Sequence, residues 1–352
     1  MVDRRIGKRV RFNRNQGGKK VTQSLDELFS IFYEAKVAEG VSDRTLETYR
    51  ENYRFFCDYL DGNQLARKIN DVTPEIIRNY ITWMLKTKRK WEGHNHKSEA
   101  NMTEGLSPVT VNTRLKGLKT MFRFLMQEGM IEFNPFDSIK PVREPESDIK
   151  IMTAEQLKQL LREPNQRSYA GYRDFVLMTL LLDGFLRIGE AIGLQKKDID
   201  FNSGTIFLSG LSTKSRRPRI VPLQKHTLNH LRDLIKESEE FHSDYVFLSN
   251  YGEQISDDQV RNRLKEHAHN AGLNIRVYPH LFRHTAATLF LENGGSLSYL
   301  QRIMGHADMR AIVRYTHLSQ KSIIREHAKF SPLNQVLSKQ NRPRKTKRTK
   351  TE

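Results

Sequence analysis

The strongest indication of the fold is a stretch near the C-terminus, PHLFRHTAATLFLENGGSLSYLQRIMGHADMRAIVRYTH, residues 279–317. Pro279 suits the first turn of a helix, and the glycine pair at 294–295 suits its end. Ser296 predicts the cap of a second helix, and Gly305 occupies the position just past its C-terminus that glycine favours. The stretch therefore predicts two consecutive helices joined by a tight turn.

Side chains that can act on a phosphate recur at fixed spacings in this stretch. His280 and Arg283 are three residues apart, which places both on one face of the first helix. His306 directly follows the second helix, and Tyr315 comes nine residues later. Because the free N–H groups of a first helical turn attract anions, the pattern predicts donors and one nucleophile gathered around a phosphate.

The combined spacing resembles the C-terminal catalytic box of tyrosine recombinases, the phage integrase family. That box reads His-x-x-Arg, then Leu-Gly-His, then a tyrosine nine residues after the last histidine; here Met304 replaces the leucine. The resemblance covers residues 24–330 and implies a site-specific DNA recombinase. In the family the tyrosine forms a 3′-phosphotyrosine that stores the bond energy, so no metal, ATP or other cofactor is expected.

The resemblance also implies partners. Four protomers would bring two double-stranded DNA recombination sites together as a homotetramer, with two tyrosines active at a time, and resolve them through a Holliday junction. Accessory or directionality proteins are further expected partners, and a membrane is not.

Length and composition agree with an intracellular protein of two domains. The chain has 352 residues, and its single cysteine, Cys57, excludes an internal disulfide and is typical of a reducing cytoplasm. No apolar run has the length of a membrane span, and residues 1–20 lack the apolar core of a signal peptide. We therefore expect a soluble, cytoplasmic protein associated with the nucleoid.

Most of the formal net charge of +18 lies at the two ends of the chain. Residues 1–20 hold eight Lys and Arg against one acid, and residues 331–352 hold seven against one. This composition predicts a disordered basic arm at 1–20, and a short helix with a basic tail at 331–352. Such ends can simply aid solubility, but nearly pure positive charge favours contact with DNA phosphates. By resemblance the C-terminal helix docks on a neighbouring subunit, with packing on its own chain as the alternative.

Residues 21–133 predict a helical domain of four amphipathic helices, which resembles the SAM-like core-binding domain of the family. The fourth helix opens with Ser107 and Pro108. Its apolar stripe comprises Val111, Leu115, Leu118, Phe122 and Leu125. Its basic side is either a solvated face or the expected DNA contact, formed by Arg114, Lys116, Lys119 and Arg123.

Two further segments belong to this half of the chain. His94 and His96 with Cys57 lack the spacing and the fourth ligand of a zinc site, so no metal site is predicted. Residues 134–150 contain three prolines and predict a linker between domains.

Residues 151–330 predict the catalytic domain. Its apolar run from Phe175 to Leu194 predicts a buried helix, a break at Gly184 and a second helix. Burying Arg187 among apolar neighbours is costly without an anion, so we expect Arg187 to bind phosphate, to pair with Glu190, or both. The stretch resembles the family's Gly-x-Arg-x-x-Glu segment, although two residues rather than one separate Gly184 from Arg187.

A β-hairpin with a cationic turn is predicted from residues 205–208 and 219–223. In the family this hairpin ends in Val-Pro-Leu, and alignment backwards from that tripeptide places Lys214 at the position of the catalytic lysine. Arg216 and Arg217 are the alternatives and are otherwise expected to contact DNA.

The predicted fold is mainly α with a small β-sheet or hairpin in the catalytic domain, arranged as a two-domain, C-shaped clamp on DNA. By resemblance, arginines bind the non-bridging phosphate oxygens, histidines donate further hydrogen bonds, a lysine protonates the leaving oxygen, a tyrosine attacks and a glutamate orients an arginine. These roles fall on Arg187 and Arg283, His280 and His306, Lys214, Tyr315 and Glu190.

The basic extensions and the insertion at residues 90–106 favour an integrase or transposase of a mobile genetic element. An Xer-type resolvase of chromosome or plasmid dimers is the alternative within the family. A type IB topoisomerase and a DNA-binding protein without chemistry are the alternatives outside it.

Overall fold

The chain divides into two units, and the secondary structure of their described residues is mainly α-helical. The computed structural model describes residues 24–90, 102–145, 150–210, 217–305 and Ser331. Contacts divide the chain into an N-terminal unit, Met1–Ser147, and a C-terminal unit, Asp148–Glu352. The C-terminal unit carries one three-stranded sheet, so the predicted mainly α fold with a small sheet is confirmed. Within the described ranges no helix has the length and apolarity needed to span a membrane.

The N-terminal unit contains the four predicted helices. Ser24 and Glu27 form a capping box at the first helix, and Ser107 accepts a hydrogen bond from the backbone of Thr110 at the fourth. A short 3₁₀ turn, Ile69–Asp71, precedes the third helix. The helices are α1 (Leu25–Ala38), α2 (Asp43–Gly62), α3 (Pro74–Lys86) and α4 (Pro108–Gln127).

The core of the N-terminal unit is formed by apolar stripes of all four helices. The predicted stripe of α4 is buried along its whole length. Aromatic rings fill the space between the helices, with Phe56 and Tyr80 5.0 Å apart and Phe32 and Phe124 5.7 Å apart. The periodicity of three and four residues thus identified the packed faces correctly.

The first part of the predicted linker packs on the N-terminal unit. Phe136 is 2 % exposed, and its ring lies 5.0 Å from that of Phe122. The side chain of Asn112 donates to the carbonyl of Val142 and accepts from its backbone N–H, both at 2.9 Å. The first residues of the predicted linker, including Phe136 and Ile139, thus belong to the core of the N-terminal unit.

The described part of the C-terminal unit begins with three helices, α5 to α7, and continues through the sheet to four more. Thr153 forms a capping box at α5, and α6 ends at Gly184, as the sequence predicts. Short 3₁₀ turns occupy Lys196–Asp198 and Glu239–Phe241. The helices are α5 (Ala154–Arg162), α6 (Tyr169–Asp183), α7 (Ile188–Ile192), α8 (Lys225–Glu237), α9 (Asp257–Asn270), α10 (Pro279–Glu292) and α11 (Leu297–Met304).

The sheet is antiparallel, in the order β1 (Ile199–Asp200), β2 (Thr205–Leu208) and β3 (Arg219–Pro222). The predicted hairpin is β2 and β3, and the sequence did not predict β1. Ile206 pairs with Val221, and both side chains enter the core. The alternation of buried and exposed residues along β3 places Arg219 on the buried side.

A buried carboxylate joins α9 to α6. Asp174 accepts hydrogen bonds from Arg173 at 2.8 and 3.1 Å and from Arg263 at 2.7 Å, and lies 3.0 Å from Nε2 of His267. Burial alone would raise the pKa of Asp174, but these hydrogen bonds and charges hold it below its usual value. The carboxylate therefore stays ionised and fixes α9 beside α6.

Replacing Phe136 by alanine is expected to lower the free energy of unfolding of the N-terminal unit by about 3–5 kcal/mol, because a buried ring is lost. Phe133, which is 60 % exposed, provides the matched control as Phe133→Ala. Tryptophan fluorescence during chemical denaturation reports this unit, since Trp83 and Trp91 both belong to it. Equal losses in the two variants would contradict the packing of the segment.

Candidate active site

The carboxylate of Glu190, on the short helix α7, lies at the centre of the site. It is 3 % exposed and accepts from the Nη1 of Arg187 at 2.9 Å and from the backbone N–H of Arg187 at 2.8 Å. The side chain of Arg187 retains 20 % exposure. The predicted pairing of Arg187 with Glu190 is present, and it leaves part of the guanidinium at the surface.

Arg219, at the start of β3, is the second partner of Glu190. Its two terminal nitrogens donate to the two carboxylate oxygens at 3.0 and 2.7 Å, while its Nε donates to the carbonyl of Ile303 at 2.8 Å. Arg219 is 8 % exposed. Sequence reasoning assigned this residue only to a strand; the signal that it missed was an arginine at a buried position of an alternating β pattern.

Glu190 is held as a carboxylate by these arginines. Its burial alone would raise its pKa, but the hydrogen bonds and charge of Arg219, together with those of Arg187, lower the pKa below its usual range. Charge-assisted hydrogen bonds from two arginines, one of them bidentate, hold the Glu190 carboxylate in a fixed position. The position of Arg187 therefore depends on the position of Glu190.

Arg283, on α10, is almost fully buried and contacts two separate segments of the chain. Its Nη1 donates to the carbonyl of Phe185, and its Nη2 donates to the carbonyl of Met304 at 2.7 Å. Phe185 precedes Arg187 by two residues, and Met304 ends α11. The guanidinium thus links the approach to Arg187 with the exit of α11.

Phe185 explains the extra residue between Gly184 and Arg187. Its φ is 52°, in the left-handed region that favours glycine, and its ring packs edge-on against Phe290 at 5.7 Å. With the arginines aligned, Phe185 occupies the position of the family's glycine. The turn is therefore kept by a strained phenylalanine, which the Arg283 hydrogen bond and the Phe290 contact hold in place.

His280 lies one turn before Arg283 on α10 and is exposed. Desolvation, followed by the charges of Arg283, Arg261 and Arg187, holds the pKa of His280 below its usual value. These arginines are therefore close enough to act on the imidazole. The structure brings Arg187, Glu190, His280 and Arg283 together.

Three predicted catalytic residues, Lys214, His306 and Tyr315, lie outside the described residues. Gly305, the last described residue before His306, has φ 63° and ends α11 in the left-handed conformation. The described part of the site therefore ends where the chain leads into His306.

The predicted DNA contacts of α4 do not share one face. Arg114 lies beside the apolar stripe, because it is three residues after Val111 and four before Leu118. Its guanidinium stacks 3.8 Å from the ring centre of Phe55, and burial lowers its pKa. Arg114 therefore lies apart from the other three predicted DNA contacts of α4. Lys119 is half-buried and donates to a carbonyl at 2.6 Å.

Lys116 and Arg123 are the two exposed members of the predicted set. Arg217 is also exposed, two residues before Arg219, whereas Arg216 lies outside the described residues. In the part of the chain that the structure describes, no three His, Cys, Asp or Glu side chains converge as metal ligands. Cys57 is buried in the core of the N-terminal unit, and His94 and His96 lie outside the described residues.

The described site is strongly cationic. Three guanidinium groups and one carboxylate converge, and an imidazole with a lowered pKa lies at their edge. Fixed cationic donors of this kind stabilise charge that develops on a phosphoryl group. The arrangement is suited to binding and polarising a phosphodiester.

Both units match known families. Residues 150–322 match the phage integrase family, and residues 25–141 match the phage integrase SAM-like domain. The tyrosine recombinase XerD of Listeria innocua is 27% identical to the chain over 316 residues, covering 88% of the chain and 99% of that relative. The tyrosine recombinase XerC of Chlamydia trachomatis serovar L2 is 32% identical over 232 residues, covering 65% of the chain and 73% of that relative.

A solved structure shares the fold. It is the Tn1549 transposon integrase in complex with transposon right-end DNA, with a TM-score of 0.67 and 21% identity. The comparison covers 88% of this chain and 99% of that one.

Replacing Arg261 by methionine is expected to raise the pKa of His280, because the variant lacks one of the positive charges that lower it. Asp257, which accepts a hydrogen bond from Arg261 at 2.9 Å, would then raise that pKa more strongly. In the wild type the imidazole should titrate below its ordinary value of 6.5. Because folding lowers the pKa of His280, the protonated imidazole is less favourable in the folded protein than in the unfolded one. His280 therefore leaves the free energy of unfolding unaffected above pH 6.5 and lowers it as the pH falls below 6.5.

An NMR titration of the imidazole ring, assigned with His280→Gln, measures this pKa in both proteins. A wild-type value at or above 6.5 would contradict the described arginine cluster.

Proposed function

The chain belongs to the phage integrase family and is a site-specific tyrosine recombinase, and on this premise we propose that it integrates or excises a mobile genetic element. Tyr315 would cleave DNA through a 3′-phosphotyrosine, and religation would follow from the same intermediate. The observation that carries the chemistry of this proposal is that Glu190 holds Arg187 at a partly exposed position, while Arg283 links the turn before Arg187 to the exit of α11.

The proposed cleavage step exchanges one ester for another. Tyr315 attacks the phosphorus in line: its phenolic oxygen releases its proton to solvent and bonds to the phosphorus, while the bond from phosphorus to the 5′ oxygen breaks. Lys214 gives a proton to the departing 5′ oxygen. The reverse reaction, with a 5′ hydroxyl of another strand as nucleophile, rejoins DNA and frees the tyrosine.

The cationic groups would stabilise the transition state. Arg187 is suited to contact a non-bridging oxygen, because its side chain is partly exposed and its orientation is fixed by Glu190. Arg283 donates from both terminal nitrogens to the carbonyls of Phe185 and Met304, and it is proposed as the second cationic group beside the phosphate. His280 is neutral near pH 7, and a neutral imidazole still donates one N–H. His306 would add a further donor.

Binding of the DNA would involve both units. Lys116 and Arg123 on α4 are the exposed cations proposed to contact DNA from the N-terminal unit, and Arg217 is proposed to do so from the C-terminal unit. The basic residues 1–20 and 331–352 would add phosphate contacts that weaken as salt rises. We further propose that the protein acts as a homotetramer on two recombination sites.

An Xer-type resolvase is the second candidate, because a relative named XerD matches 88% of the chain along almost its whole own length. The mobile-element role is favoured by the basic extensions and by the insertion at residues 90–106. A recombination assay separates the two. Efficient recombination of sites from element ends supports the first role, and exclusive resolution of duplicated chromosomal or plasmid sites supports the second.

Covalent trapping tests the nucleophile. Wild-type protein incubated with nicked DNA from element ends, without magnesium, is expected to form a denaturant-resistant adduct, whereas Tyr315→Phe should form none. Tyr299→Phe is the matched control, since Tyr299 lies on α11 and is 64 % exposed. An adduct formed equally by Tyr315→Phe would show that another residue attacks. Relaxation of supercoiled DNA that lacks paired sites would instead identify a type IB topoisomerase activity.

A further inference from the structure

We propose that Arg219 is a positioning residue for the recombination chemistry, acting through Glu190 on Arg187 and through α11 on the segment that begins at His306. The inference rests on the proposed function, because it assigns Arg219 a part in the same phosphoryl transfer. Arg219 is not proposed to touch the phosphate, since it is 8 % exposed and its donors are directed to protein groups.

The contacts of Arg219 join three elements. From the start of β3 it reaches both carboxylate oxygens of Glu190 on α7, at 3.0 and 2.7 Å, and the carbonyl of Ile303 on α11, at 2.8 Å. All three guanidinium nitrogens therefore donate to groups of the protein. Few other side chains could make both contacts at once.

The exit of α11 is fitted closely around Arg219. A Cβ atom built on Gly305 would lie 2.8 Å from Cδ of Arg219 and 3.1 Å from its Nη1. The neighbouring carbonyls of Ile303 and Met304 accept from Arg219 and Arg283, respectively. Two guanidiniums thus fix consecutive carbonyls at the point where the chain enters His306.

Charge balance explains how Arg219 would act on Arg187. With Arg219 present, the buried carboxylate of Glu190 has a bidentate partner, and Arg187 contributes one guanidinium nitrogen at 2.9 Å. Without Arg219, only Arg187 among the described arginines would still pair with the buried carboxylate of Glu190. The guanidinium of Arg187 would then be drawn closer to Glu190. Arg187 would then be less able to contact a phosphate.

This role predicts a loss in the chemical step rather than in DNA affinity. In single-turnover trapping on nicked DNA, Arg219→Met is expected to slow adduct formation by about 100-fold, as misplacement of a catalytic group by about 1 Å does. The Kd for the same DNA should change less than about threefold, because Arg219 is buried away from the ligand. Arg219→Lys should restore only a part of the rate, since lysine carries a point charge in place of a fork.

Two comparisons separate positioning from general damage to the fold. Arg232→Met is the matched control, because Arg232 lies over the ring of Phe201 on the same unit, is exposed and has no part in the proposed site. Its rate should equal that of wild type. Combining Arg219→Met with Glu190→Gln should cost little more than the larger single effect, because each single variant already disrupts the Arg219–Glu190 contact.

Hydrogen–deuterium exchange gives a readout that does not need activity. Arg219→Met, but not Arg232→Met, should increase exchange of backbone amides at residues 187–192 and 297–305. Arg219→Lys serves the same comparison if the methionine variant does not fold.

The outcomes decide between the claims. If wild-type protein forms no adduct on authentic sites, the proposed function is wrong. Hydrogen–deuterium exchange would still show whether Arg219 orders residues 187–192 and 297–305. An unchanged adduct rate and unchanged exchange in Arg219→Met would overturn the positioning role. A loss confined to DNA affinity would also overturn it, because it would indicate direct contact with DNA.

Discussion

The carboxylate of Glu190 must be paired because it is buried, and much of the described site follows from that requirement. An ionised carboxylate in a low-dielectric interior is stable only with well-placed cationic donors. Arg187 supplies one from the same helix turn, and Arg219 supplies two from a strand 29 residues further along the chain. Since Arg219 also binds α11, pairing one charge joins a helix, a strand and the exit of a second helix.

Arg283 completes this arrangement by a different interaction. It satisfies the carbonyls of Phe185 and Met304, which belong to segments far apart in sequence, and so fixes the turn that leads to Arg187. Phe185 adopts φ 52° in that turn, a conformation that favours glycine. The contact with the ring of Phe290 and the hydrogen bond from Arg283 stabilise this conformation. The cationic groups are therefore held in position before a phosphate arrives, and such preorganisation is what electrostatic catalysis of phosphoryl transfer requires.

The sequence predicted well what depends on local signals. Caps such as Ser107 and Ser296, and stops such as Gly184 and Gly305, placed helix ends correctly, because capping involves residues three or four apart. It also predicted the pairing of Arg187 with Glu190. Arg219 was missed because its partners are distant in sequence. The packing of the segment after residue 134 was not predicted, because proline content does not show whether neighbouring apolar side chains, such as Phe136, are buried.

The central claim is that Glu190, held by Arg219, presents Arg187 to the phosphate that Tyr315 attacks. A structure of the covalent complex on nicked DNA tests it most directly. The account predicts a bond between Tyr315 and the phosphorus, Arg187 within hydrogen-bond distance of a non-bridging oxygen, and Glu190 still bound by Arg219. A complex in which Arg219 itself contacts the phosphate, or in which Arg187 stays turned away from it, would contradict the account.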